Sequence, residues 1–141
     1  MKNRVAITGM GIISSIGLTV EENFQSLLSK KHGISTIDFI ETVHKKEILV
    51  GEIKTSNETL QHLLNLPEKN TFTRTGLLGA YAAKQAIQNA NILDVNEVRT
   101  GFISSTSVAG MDFTEKHYKQ YEQHPEYNKY IESHNAGDTS N

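Results

Sequence analysis

The stretch Val5-Ala6-Ile7-Thr8-Gly9-Met10-Gly11-Ile12-Ile13-Ser14-Ser15-Ile16-Gly17 constrains what this chain can fold into more than any other. The consecutive apolar residues within 4–8 suit a strand covered on both faces, as in a parallel sheet. Gly9, Gly11 and Gly17 then let the backbone turn and pack closely. Thr19-Val20-Glu21-Glu22 follows as a capping box, with the Thr19 hydroxyl capping a helix and Glu22 reaching back. A strand, a glycine-rich turn and a capped helix in succession are the opening of an α/β layer.

The rest of the chain continues the alternation. The first helix is expected over about residues 20–29, with Phe24, Leu27 and Leu28 as its apolar stripe and Gly33 as its stop. Residues 34–46 read as loop and 48–53 as a second strand. Residues 55–69 read as polar and irregular, with a short helical turn at 60–66 that ends at Pro67. The strongest helix is 73–90, where apolar or small residues cover most of the circumference, the mark of a helix buried between other elements. Gly76 and Gly79 each cost such a helix roughly 1 kcal/mol relative to Ala, and close approach of a neighbour is the simplest reason to tolerate them. Asn91 fits a left-handed cap. A third strand is expected at 98–105, and Asp112 with Glu115 reads as a cap that opens a helix reaching about Gln123. The pattern predicts one α/β domain over residues 1–141, with a mixed, mainly parallel sheet and covering helices.

Composition removes several function classes. The 141 residues carry 14 basic against 16 acidic side chains, too even a balance to steer nucleic acid or an anionic membrane. There is no apolar run of spanning length. Lys2 and Arg4 precede an apolar stretch as in a signal peptide, but Thr8, Gly9, Gly11, Ser14 and Ser15 interrupt it and no small-x-small site follows. The absence of cysteine excludes disulfides and thiolate metal sites and fits a reducing, cytoplasmic setting.

Three chemical readings can be weighed on spacing. Gly9-Met10-Gly11-Ile12-Ile13-Ser14 looks like a dinucleotide fingerprint, but the third glycine is Ser14. The helix cap also comes only at Thr19, too late to place a helix N-terminus against a pyrophosphate. A small phosphate- or nucleotide-binding module using Gly9 and Gly11 stays open as the alternative reading. His32, His44, His62, His117, His124 and His134 show no i, i+4 pair and no HExxH, so metal ligation is not expected. Ser104-Ser105-Thr106-Ser107 follows a strand but lacks the nucleophile-elbow pattern of a hydrolase.

Five segments in register resemble the N-terminal part of the ketoacyl synthases, the condensing enzymes. Val5 to Gly17 is similar to the pattern V-V-I-T-G-x-G-x-x-S-P-x-G, with Ser15 in place of Pro. Glu21 to Ile34 is similar to E-E-x-F/W-x-x-L-L-x-G-K-S-G-I, and Gly51-Glu52-Ile53 to a G-x-I strand. Arg74 to Ile92 resembles an R-x-x-x-x-A-x-x-A-A helix, and Thr100 to Gly110 a strand ending in a glycine-rich loop, with Ser105, Ser107 and Ala109 at its small or glycine positions. The segment from Thr106 to Glu115 is closer to the polyene-type synthases of pigment pathways.

The resemblance implies a thiolase-like fold of two similar α/β halves, of which this chain is part of the first, usually in a homodimer. It implies decarboxylative Claisen condensation on acyl-carrier-protein thioesters, in fatty-acid or polyketide synthesis, with no cofactor. A Cys takes the acyl chain and two basic side chains assist. By resemblance Val108 lines the acyl pocket. No catalytic residue is expected among these 141 residues: the Cys-bearing turn and both His-bearing segments are expected after Asn141, so the chain alone should be inactive.

Overall fold

The computed structural model describes residues 4–106, 110–124 and 126. Its elements, in chain order, are α1 (Val20–Leu28), β1 (Ser35–Thr36), β2 (Leu49–Val50), α2 (Asn57–Leu64), α3 (Arg74–Asn89) and α4 (Met111–Gln123). The expected site residue Val108 lies outside the described residues.

Local capping chemistry sets the helix boundaries. Thr19 Oγ1 accepts the Glu22 N–H at 3.2 Å. The Glu22 carboxylate reaches back to the Leu18 N–H at 2.6 Å, one residue before the amide that a capping box ordinarily uses. α1 stops earlier than Gly33. Lys30 takes the left-handed conformation with φ 57°, and the Lys31 N–H closes on the Ser26 carbonyl at 2.8 Å, a Schellman end. α2 begins before the expected turn at 60–66, because Ser56 caps it by accepting the Thr59 N–H at 3.2 Å. α2 ends on Asn65, also left-handed. Thr73 caps α3 through the Gly76 N–H at 3.1 Å, and Asn91 is left-handed as expected, φ 55°. Asp112 is not the cap of α4. It sits in the first turn, and its carboxylate accepts the Arg74 backbone N–H at 3.0 Å, so it serves the start of α3.

The expected mainly parallel sheet is not formed among the described residues. The sheet there is a two-stranded antiparallel pair, with Ser35 opposite Val50 and Thr36 opposite Leu49. Residues 4–8 and 98–105 lie in no strand, and Val5, Ile7, Phe102 and Ile103 are largely exposed. An apolar run states that a segment favours burial; a strand also needs a neighbour to complete its ladder, and that neighbour is a non-local matter.

The core is small. Ile37, Leu60 and Leu77 are the buried apolar side chains among the described residues. α2 packs against α3, and Leu60 and Leu77 are fully enclosed together with Thr73. Burying each leucine contributes about 2–3 kcal/mol. Two expectations about helix faces fail here. In α3 only Gly76 and Leu77 are buried, and a side chain at Gly79 would meet open space, so no neighbour explains that glycine. In α1 the buried residues are Asn23 and Ser26, while the expected core stripe of Phe24, Leu27 and Leu28 faces outward. In α1 the face that the apolar pattern marks for burial is left open among the described residues.

Candidate functional site

The glycine loop is built against α3. A Cβ at Gly9 would lie 2.7 Å from the Ala90 nitrogen and 2.8 Å from the Ala90 Cβ, and would collide with the Ala86 carbonyl. A Cβ at Gly11 would lie 2.8 Å from the Ala86 nitrogen and collide with the Ala82 carbonyl. Ala82, Ala86 and Ala90 recur every four residues, so they form one stripe of small side chains along the helix. Glycine on the loop and alanine on the helix are the two halves of one close contact. Polar groups pin its flanks: the Met10 N–H donates to Asn89 Oδ1 at 3.0 Å, and Gln85 Nε2 donates to the Ile12 carbonyl at 3.2 Å and the Leu18 carbonyl at 2.9 Å.

α1 holds the other side of the same loop. Ser14 Oγ bonds to Asn23 Oδ1, and Asn23 Nδ2 donates to the Gly17 and Thr19 carbonyls at 2.9 and 2.8 Å. Ser26 Oγ donates to the Ile16 carbonyl at 2.7 Å. Gly17 sits where a Cβ would come within 2.6 Å of the Asn23 nitrogen. Ser15 nests against Gly33 and Gly51, which leave no or little space for a Cβ beside its hydroxymethyl group.

A groove of about 600 Å³ opens beside this loop, lined among others by Ser15, Ile16, Leu18, Lys31, His32 and Ser35. Lys54 also lines it, and behind Lys54 stands the buried Glu52. The Glu52 carboxylate is buried and accepts the N–H groups of Asp38, Phe39 and Ile40 at 2.7, 2.9 and 3.2 Å. Lys54 Nζ lies 2.8 Å from Glu52 and 2.8 Å from Asp38, and donates to the Thr36 carbonyl at 2.6 Å. Removing the Glu52 carboxyl from water pushes its pKa up, but Lys54 and the three amides outweigh this and hold it down at about 2. Bonds to Asp38 and Glu52 raise the pKa of Lys54. Arg74, known from the sequence only as a helix-opening residue, proves to be a clamp on the segment 53–57, whose Thr55 lines the groove. Its guanidinium donates to the Thr55 and Ile53 carbonyls at 3.1 and 2.8 Å and to Asn57 Oδ1 at 2.8 Å, and lies over the Phe39 ring.

These arrangements build a scaffold around the glycine loop. The glycine backbone that a phosphate would need is covered by α3, and Met10 and Leu18 have already given their amides to Asn89 and Glu22. The structure thus speaks against the phosphate-module alternative. No three metal-ligating side chains gather among the described residues. The glycine contacts were legible in the residue types. Glu52 and Arg74 were not, because most of their partners are backbone groups of other segments.

The chain matches the family model described as the N-terminal domain of beta-ketoacyl synthase over residues 2–141. It is 32% identical over 120 residues to a 3-oxoacyl-[acyl-carrier-protein] synthase 2 of Staphylococcus aureus strain COL, covering 83% of this chain and 28% of that protein. Synthases of the same name from Vibrio cholerae and Coxiella burnetii are 29% and 27% identical, over 81% and 83% of this chain and 28% of each relative. The chain therefore spans little more than a quarter of the length of these relatives.

Proposed function

The chain belongs to the beta-ketoacyl synthase family, through that family's N-terminal domain, and from this premise we propose that it is the opening α/β part of a 3-oxoacyl-acyl-carrier-protein synthase. The observation that carries the reading is the family match over residues 2–141, together with the seating of Gly9 and Gly11 on the alanine stripe of α3. Within a whole synthase, residues 4–8 and 98–105 become strands of a thiolase-like, mainly parallel sheet, and Val108 lines the acyl pocket.

The reaction is a decarboxylative Claisen condensation in fatty-acid or polyketide synthesis. An acyl group passes from its carrier-protein thioester to a cysteine thiolate, releasing the carrier thiol. A malonyl thioester then loses carbon dioxide, and the carbanion equivalent attacks the acyl carbon and expels the cysteine. The partners are acyl carrier protein and a second copy of the synthase, in the cytoplasm. The 141 residues contain no cysteine, so the acyl-accepting thiol must come from other polypeptide. What these residues contribute is a rigid loop and helix scaffold.

The test is a chimera in which this chain replaces the matched residues of the Staphylococcus aureus synthase. The chimera should form ketoacyl product from acyl- and malonyl-carrier-protein thioesters. The chain alone should form neither product nor acyl-enzyme. A folded chimera without condensing activity, or acylation of the chain alone, contradicts the reading.

A further inference from the structure

α1 faces the opposite way from an isolated amphipathic helix. It buries Asn23 and Ser26, while Phe24, Leu27 and Leu28 are 53%, 65% and 62% exposed. These three stand at i, i+3 and i+4 and so share one face. The orientation is fixed by chemistry. Asn23 and Ser26 are committed to Ser14, Ile16 and Gly17 of the loop, so rolling the apolar face inward would break those bonds. The helix is thus held with its apolar face presented.

Two facts identify what meets this face. The matched domain is an N-terminal one, and the relatives are 28% covered, so in them further polypeptide follows the domain. The ends of α1 carry opposite charges, Glu21 and Glu22 at the start and Lys30 and Lys31 just after the end. That mixed pattern lacks the single-sign field that favours an anionic membrane. Resting on the family reading above, we propose that Phe24, Leu27 and Leu28 form the docking face for the polypeptide that follows the N-terminal domain in the synthases, which meets it with an apolar surface of its own.

The pair Leu27→Gln and Leu28→Gln tests this, since Gln keeps helix propensity while removing the apolar surface. In the full 141-residue chain the pair should leave far-UV circular dichroism and sedimentation unchanged, because the side chains are already in solvent. In the Staphylococcus aureus chimera the same pair should lower the melting temperature by about 10 °C. A chimera that condenses and melts alike with and without the pair overturns the docking face. A dimer of the isolated chain that the pair dissolves also overturns it, in favour of a second copy as occupant. A chimera that folds but does not condense contradicts the synthase reading on which the docking face rests.

Discussion

Lys30 occupies a position that its backbone does not suit. Its φ is 57°, and the family-like pattern places glycine there, after the paired leucines. A side chain in the left-handed region costs about 1 kcal/mol that glycine avoids. Lys30→Gly should therefore raise stability by about 1 kcal/mol, read as a higher denaturation midpoint with an unchanged slope. Glu52 gives a pH signature. Its pKa is held at about 2 against an ordinary 4.5, so its contribution is fully present above about 4.5 and is lost as pH falls from there toward 2. Glu58, also held low by its own amide and Ser56, acts in the same direction. Glu52→Gln should flatten most of the stability loss across that window and cost about 3 kcal/mol near neutrality, since three amides and Lys54 lose their anion. Urea melts of both forms at pH 7, 4 and 3 measure this.

At the scale of elements, the contact between the glycine loop and α3 carries the most consequence. Gly11→Ala would drive a methyl group into the Ala82 carbonyl, and backbone atoms cannot swing away as a side-chain tip can. The variant should lose about 2 kcal/mol or more, and amide exchange should quicken at Met10 and Ser14, whose N–H groups bond to Asn89 and Gly17. What was legible in the sequence divides along the same line. Thr19, Asn91 and the glycines of the loop act on near neighbours or through their own conformational range, so residue type alone exposes them. The partners of residues 4–8 and 98–105, the outward face of α1 and the role of Arg74 depend on what lies across space. The apolar pattern recorded a demand for burial at Phe24, Leu27 and Leu28, and the described residues do not meet it.

For the whole molecule, Ile37, Leu60 and Leu77 make a slight apolar core among the described residues, against the backbone entropy of ordering each residue at about 1–2 kcal/mol. What order there is rests on capped helices and on side-chain bonds to the loop between Gly9 and Leu18. On the proposed function these residues are a scaffold whose strand-like segments pair only within a whole synthase. Hydrogen exchange of the isolated chain, resolved by residue, tests it most directly. The account predicts slow exchange at Leu60, Leu77 and Ser14, whose amides bond within the scaffold, and near-intrinsic exchange at Val5, Ile7, Phe102 and Ile103. Strong protection of Val5, Ile7, Phe102 and Ile103 in a monomer would show a sheet completed by this chain alone, and would contradict the account.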